Sequence, residues 1–532
     1  MAEGFSSGYK KDLSLFNLVM LNSMGMIGSG WLFAALYTSS YAGSFGSILS
    51  WIIGAAIVLL VAVTFMEVST AFPLAGGSTP IGEFSHGKLG GFVAGWGAWI
   101  SDIMTPPIEA VAMVTYLSFF VNGLITKTGV LLPLGYLVVV IVLLAILIVN
   151  LQAVRFFGNV TSGIMIWKWA IPALAVITLI SFAFHPSNFT ITGTFYQGYS
   201  GIFYALVLGG IVFSFEGFRG AINMAAESQH RDYIWKSVIV ALLLVMTLYV
   251  FIQVAFIGAL DWSKSGVAVG NWGALSNSLL LSGPFAKEAE FAGLGWLVVI
   301  LLIDAVVSPG GAGLSYAAYP ARIFQSMAEF GYAPSWFKNL TDKARVPGRA
   351  LVLGFLVGLV FLYEFPGWHL LVGILTSTLV IAYVIGPASI NILRKTAPDV
   401  ERKYTLKGSK IIAPLGFMFS SLIIYWSGWP LSGEVVIAVV AGLFMFGYFT
   451  AKNNFDMREI KSGMWIVALL FVIAVLSYLG PSVYGGINII PFPWDFIVTG
   501  VISLGFYGIS QLSGIKSKSL ERYLDKLKEE AR

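Results

Sequence analysis

Apolar runs long enough to cross a bilayer recur along almost the whole chain, separated by short polar connectors. A spanning helix needs about 20 mostly apolar residues. Segments of that kind centre on 13–39, 43–72, 91–122, 129–150, 156–184 and 198–224, then on 237–260, 291–322, 349–365, 368–393, 410–430, 433–451, 463–480 and 493–512. The pattern predicts an all-α membrane protein with about fourteen transmembrane helices. Residues 1–11 are polar, and the apolar run after them carries no A-x-A-like cleavage site, so it reads as a retained span and not a signal peptide. The stretch from Lys516 onward is charged and reads as a solvated or membrane-surface helix.

The connectors carry an independent signal. With the N-terminus in the cytoplasm and the spans alternating, the inside loops hold Lys88, Arg155, Arg231, Lys236, Lys338, Lys343, Arg345 and Arg349. They also hold Arg394, Lys395, Arg402, Lys403, Lys407, Lys410, Lys452, Arg458 and Lys461. The outside loops hold Lys127, Lys264 and Lys287. Basic residues stay on the cytoplasmic side, so an even number of spans is expected, with both termini cytoplasmic and the chain in the cytoplasmic membrane.

Composition agrees. Of 532 residues, 57% are apolar and 11% charged, and the mean hydropathy is +0.84. That leaves too little charge to cover a soluble protein of this length. The absence of cysteine excludes disulfides, thiolate nucleophiles and cysteine-bound metals. Four scattered histidines, without metal-binding spacing, give no reason to expect a metal or another cofactor. No phosphate-binding loop is present, which argues against ATP-driven pumping. The net charge of +5 is accounted for by the loops and implies no nucleic-acid partner.

Two spans contain helix-weakening sequence at mid-depth: Gly25-Met26-Ile27-Gly28-Ser29-Gly30 and Ser214-Phe215-Glu216-Gly217-Phe218-Arg219-Gly220. Each glycine costs a helix about 1 kcal/mol relative to alanine. Such segments either pack helices closely through small residues or unwind to line a protein cavity. Their positions in the first and sixth spans fit two five-span halves, the arrangement of inverted-repeat carriers with binding at the midplane.

At this point the chain resembles the amino acid–polyamine–organocation permeases. Ile27-Gly28-Ser29-Gly30 looks like that family's first-span break. Glu67-Val68-Ser69-Thr70-Ala71-Phe72-Pro73-Leu74-Ala75-Gly76-Gly77-Ser78 looks like its second-span ending. Gly91, Phe92, Gly95, Trp96 and Trp99, followed by Glu109, resemble its third span, and Phe157-Gly158 followed by Lys168 its fifth. Phe213-Ser214-Phe215-Glu216-Gly217, with Glu227 beyond, is similar to its sixth-span break. Residues 322–334 and Val346-Pro347-Gly348-Arg349-Ala350 resemble its eighth-span ending and the loop that follows. The likeness covers roughly residues 12–400. It implies a LeuT-like five-plus-five inverted repeat in a core over 13–393, with halves of roughly 13–184 and 198–393. A cytoplasmic segment (1–12), additional spans (394–512) and a cytoplasmic charged tail (513–532) complete the chain.

The resemblance further implies alternating access for an amino-acid substrate. Ile27, Gly28, Ser29 and Gly30 would face the substrate's carboxylate. Phe213, Ser214, Phe215, Glu216 and Gly217 would line the opposite side, with carbonyls toward its amino group and Phe213 as an aromatic gate. Helix polarity agrees, since an N-terminus suits an anion and broken carbonyls suit a cation. Lys168 sits at the family position where an ammonium takes the place of sodium, which implies coupling to protons, or exchange, without sodium.

Charges at membrane depth are costly and mark function or paired structure. Asp102, Glu109, Lys168, Glu216, Arg219 and Asp304 are of this kind. Lys168 lies mid-span, where desolvation lets a lysine exchange its proton. It either couples transport or forms a structural ion pair. Arg219 stands where the family usually has a glutamate. It either biases the pocket against cationic substrates, favouring neutral or acidic amino acids, or is bound up by Glu216 or Glu109. The sequence thus points to a proton-coupled or exchanging secondary transporter of amino acids in a lipid bilayer, with its oligomeric state open. The alternatives are a channel or solute sensor on a transporter scaffold, or a carrier of another small organic solute. An enzyme is disfavoured, because no metal cluster and no nucleophile with a nearby base is evident.

Overall fold

The computed structural model describes residues 13–74, 76–152, 157–223, 228–341 and 346–530. Arg155, Glu227, Lys343, Arg345, Arg532, Ala75 and the expected segment 1–12 lie outside the described residues.

In chain order the helices are α1 (Leu15–Met26), α2 (Ser29–Ala71), α3 (Ser78–Leu117), α4 (Pro133–Gln152), α5 (Phe157–Phe182), α6 (Gly198–Leu208) and α7 (Ile211–Phe215). There follow α8 (Arg219–Asn223), α9 (Arg231–Ala259), α10 (Trp262–Ser265), α11 (Pro284–Phe291), α12 (Gly295–Glu329), α13 (Gly348–Glu364) and α14 (Trp368–Tyr383). The last are α15 (Ile385–Thr396), α16 (Ser409–Trp426), α17 (Leu431–Asn453), α18 (Met457–Lys461), α19 (Met464–Leu479), α20 (Trp494–Ser513) and α21 (Lys518–Glu530). Among the described residues, ten stretches are long and apolar enough to cross a membrane, or eleven if the pair formed by α6 and the helix after it counts as one span. The difference from about fourteen apolar runs lies in how runs map onto helices. The run 13–39 is divided between the short α1 and the start of α2, while α2 also contains most of the next run. The run 349–365 becomes the 17-residue α13, and the run 91–122 falls in α3, which is not among the ten or eleven.

At 1.5 Å per residue, the 43 residues of α2 would extend about 65 Å if straight, roughly twice the hydrocarbon thickness. The helix instead breaks at Gly43, with φ 78° and ψ −159°. A Cβ there would stand 1.9 Å from the Gly193 carbonyl oxygen, so backbone conformation and space both require glycine. α3 breaks in the same manner at Gly87, with φ 63°.

α3 forms the centre of the bundle, packed against α12 and α14, while α2 packs against α9 and α6. Polytopic chains reverse the usual rule at the periphery. Leu137, Ile141 and Ile148 of α4, Ile437 and Phe444 of α17, and Ile497 and Val501 of α20 are exposed apolar side chains, which suits contact with lipid tails.

Glu67, the acid of the second-span motif, is buried and ties the end of α2 to α15 and the chain after it. Arg394 donates to it from Nε (2.7 Å) and Nη2 (2.6 Å), and the Leu406 N–H donates at 2.7 Å. The tail helix α21 is docked on the bundle, which corrects the expectation of a solvated or membrane-surface helix. Leu520 and Tyr523 are buried, and the Tyr523 ring packs on Phe72 and Phe84. Ser519 Oγ donates to Glu83 Oε1 at 2.6 Å, and the Lys518 N–H donates to Glu459 Oε1 at 2.8 Å.

Gly43→Ala is expected to destabilise the protein by about 1–3 kcal/mol, read as a lowered unfolding midpoint in detergent. Gly505→Ala in α20, where an added Cβ meets open space, is expected to leave that midpoint in place or raise it, since alanine is the better helix former. Equal midpoints for the two variants would contradict the assignment of Gly43 as a strained break.

Candidate substrate and coupling site

α1 ends at Met26 and α2 begins at Ser29, with Ile27 (φ −88°, ψ 77°) and Gly28 (φ −116°, ψ −140°) out of helical geometry between them. Unpaired backbone groups at membrane depth cost several kcal/mol each, and here neighbouring side chains satisfy them. At the carbonyl end of α1, Lys168 Nζ donates to Met24 O at 2.7 Å and Tyr249 Oη donates to Met26 O at 2.8 Å. At the amide end of α2, the Ser29 N–H donates to Glu109 Oε2 at 2.8 Å. Cation at the carbonyl end and anion at the amide end is the arrangement the helix dipole favours. Trp368 Nε1 donates to Ser29 Oγ at 2.8 Å.

The glycines of this break permit close approach. A Cβ on Gly28 would lie 2.5 Å from Glu109 Oε1, and one on Gly30 2.4 Å from Ser214 Oγ. A Cβ on Gly25 would lie 3.1 Å from Gly217 Cα, and one on Gly217 2.4 Å from the Met26 nitrogen. The first break therefore packs directly on the chain of the sixth span.

That second break differs from expectation. The 50° bend falls at Gly209–Gly210, between α6 and α7 and upstream of the stretch 214–220. Gly210 has φ 83°. Thr38 Oγ1 donates to the freed Gly209 carbonyl at 3.3 Å, and Ser214 Oγ to Gly210 O at 2.7 Å. Phe213, Ser214 and Phe215 form the short α7, and residues 216–218 form a 3₁₀ turn leading into α8. Phe213 meets Trp368 edge-on at 6.0 Å, and Trp368 also packs on Phe33 and Tyr37.

The charged candidates form two groups. In the first, Lys168 is buried in the combined field of Glu109 and Asp304. Asp304 accepts from Trp167 Nε1 (2.8 Å), Trp31 Nε1 (3.1 Å) and Ser308 Oγ (2.7 Å). In the second, Arg219 donates to Asp102 and stands 3.9 Å from Glu216, whose Oε1 accepts from Thr105 Oγ1 at 3.1 Å. Of the two partners anticipated for Arg219, Glu216 is present and Glu109 is not. Asp102 is its principal partner. The sequence reading did not single out Trp368, Tyr249 or Thr105, which carry no signal beyond their apolar surroundings.

A bundle of membrane helices with two broken spans in contact, their ends met by buried charges, defines a multi-pass carrier of small polar solutes. The amino acid permease profile matches residues 13–436. The chain therefore belongs to the amino acid permease family, within the superfamily named above, and its activity is the membrane transport of amino acids and not enzymatic turnover. It is 37% identical over 522 residues to the glutamate/serine transporter AimA of Bacillus subtilis, covering 96% of this chain and 95% of that one. It is 30% identical over 523 residues to the aspartate-proton symporter of Bacillus subtilis, covering 96% and 98%. It is 23% identical over 503 residues to the arginine/ornithine antiporter ArcD1 of Lactococcus lactis, covering 90% of each.

Gly28→Ala, which pushes Glu109 off the α2 terminus, is expected to reduce amino-acid transport at least tenfold, a change of about 1.4 kcal/mol, in protein that still elutes as a single species. Full transport by that variant would show that the close approach is dispensable.

Proposed function

We propose that this protein is a sodium-independent, proton-coupled secondary transporter of acidic and small neutral amino acids. The observation that carries the reading is the Glu109 carboxylate on the Ser29 N–H, with the Lys168 ammonium on the opposite broken end. Glu109 stands where a substrate's α-carboxylate would bind at Ile27, Gly28, Ser29 and Gly30. Substrate and ionised Glu109 compete for one anion site, so a proton on Glu109 frees that site. Lys168 is the second coupling group, because it holds the other end of the same break and shares its field with Glu109 and Asp304. The substrate's ammonium faces the chain from Phe213 to Gly217, and Phe213 closes the site together with Trp368.

This reading takes the core, 13–393, as a LeuT-like pair of five-span repeats, roughly 13–184 and 198–393, with further spans over 394–512 making about fourteen. Both termini are cytoplasmic, supported by the basic residues of the inside loops. The substrate class is supported by the relatives named for glutamate, serine and aspartate. Arg219 is held by Asp102 and Glu216, so its part in selectivity is a local field and not a direct contact with substrate.

Purified protein in sodium-free proteoliposomes preloaded with unlabelled amino acids should accumulate labelled glutamate, aspartate or serine by counterflow, saturably and in preference to lysine and arginine. Preference for lysine, or accumulation of none of these, would reject the substrate assignment. An inward proton gradient should accelerate net uptake by the wild type, and Lys168→Ala should lose that acceleration. Full retention of proton dependence in Lys168→Ala would remove the lysine from the coupling mechanism.

A further inference from the structure

The second buried cluster does not balance in charge. Asp102 on α3, Glu216 in the turn after α7 and Arg219 at the start of α8 are each buried to 4% exposure or less. An arginine does not give up its proton in a protein. With both acids ionised, the cluster leaves one uncompensated negative charge in the membrane interior, which costs several kcal/mol even after relaxation. Among the described residues, the neighbours supply no second cation. α3 adds the Thr105 hydroxyl, α12 adds Tyr316 and α14 adds Tyr383, whose ring lies 5.9 Å from the Arg219 guanidinium carbon. α1 and α9, also packed on the turn, bring Asn22 and Tyr249. Asn22 accepts from the Ala221 N–H, and Tyr249 is engaged with Met26.

Geometry distinguishes the two acids. Asp102 Oδ1 takes the direct ion pair with Arg219 Nη2. Each acid keeps one oxygen without a hydrogen-bond partner among the described residues, but Glu216 Oε2 is 3.9 Å from the same nitrogen, beyond hydrogen-bond reach, and its Oε1 accepts from the neutral Thr105 hydroxyl. Asp102 is therefore the fixed counter-ion and Glu216 the group left to be neutralised.

We propose that Glu216, poised against the Asp102–Arg219 pair, is a second proton-binding site, distinct from the group formed by Lys168, Glu109 and Asp304. Asp102 and Glu109 are seven residues apart on α3, about 10 Å along the axis. The turn carrying Glu216 packs through Gly217 onto the first break. A proton leaving Glu216 creates a carboxylate that competes with Asp102 for Arg219, drawing the sixth-span turn and α3 on a common cation. Proton occupancy is thereby tied to the relative position of the two elements that flank the substrate site. This inference rests on the proton-driven reading of the protein and adds a proton to it.

The test is the proton-to-substrate ratio, taken from the membrane potential at which net flux reverses in proteoliposomes under a fixed pH gradient. The ratio does not depend on the amount of active protein. Glu216→Gln should lower it by about one. Asp102→Asn should do the same, because Arg219 then balances an ionised Glu216, whereas Glu216→Asp, which keeps the acid, should retain the wild-type ratio. Should Glu216→Gln not assemble, the Asp102→Asn ratio decides. A structural role alone would slow transport and leave the ratio in place, so a wild-type ratio in Asp102→Asn or Glu216→Gln overturns the site. Wild-type protein that moves substrate with no proton at all brings down the proton-driven reading, and this site with it.

Discussion

Inside a bilayer every backbone N–H and C=O must find a partner in the protein, and a helix that stops at mid-depth leaves several without one. The break between Met26 and Ser29 is tolerable because four side chains from distant parts of the chain meet it. Lys168 and Tyr249 take the carbonyls of α1, Glu109 takes the amide of α2, and Trp368 secures Ser29. Those partners come from α5, α9, α3 and α14, so one satisfied break fixes the relative placement of much of the core. The glycines at 25, 28 and 30 matter less as weak helix formers than as the only residues that let Gly217, Glu109 and Ser214 approach so closely.

Buried ion pairs of this kind add little net stability, because desolvation offsets most of the attraction. Their value lies in having more than one arrangement. Glu109 and Lys168 are joined to backbone groups of α1 and α2, not to each other. Arg219 sits between two acids on different elements. Arg219 has a second carboxylate 3.9 Å away, and a carrier that must open to either side needs contacts that can change partners. The contacts around Glu67 are of another type. A bidentate arginine and a backbone N–H hold a single carboxylate, and a second arginine, Arg402, stands 3.5 Å from it, so that end of α2 is held by two cations and serves as an anchor.

Much of this was legible along the chain. Hydrophobic run length located the membrane helices, and three glycines in six residues located the first break. A charge in an apolar run was sufficient to single out Glu109, Lys168, Glu216, Arg219 and Asp304, each of which lies at or beside the two breaks. What was not legible depended on three-dimensional pairing. The bend of the sixth span falls at the adjacent glycines 209 and 210, whereas the glycines 217 and 220 and the family resemblance of 213–217 pointed to the stretch 214–220. Asp102 and Arg219 are 117 positions apart, and no local pattern joins them. α21 carries Leu520 and Tyr523 on one face, a spacing that shows an apolar stripe without showing whether lipid or protein covers it; Phe72 and Phe84 do.

The position of Glu109 also bears on why coupling would be tight. A carboxylate tethered beside the Ser29 amide competes with a free amino acid as though present at high local concentration, on the order of millimolar or above. On the proposed reading, a substrate at ordinary concentration would displace it poorly while it is ionised. Neutralising the tethered acid removes the competitor, and each pH unit of bias corresponds to about 1.4 kcal/mol, so a modest proton gradient shifts occupancy several-fold. The same contact explains why the empty carrier need not expose a bare helix terminus as it returns. On the proposed reading, Glu109 would refill the anion site when substrate leaves while Lys168 keeps the opposite carbonyls, so that the break stays satisfied. The requirement that no backbone group go unpaired thus accounts for the contacts that hold the broken helix and, on the proposed reading, for the competition through which a proton gradient would act on it.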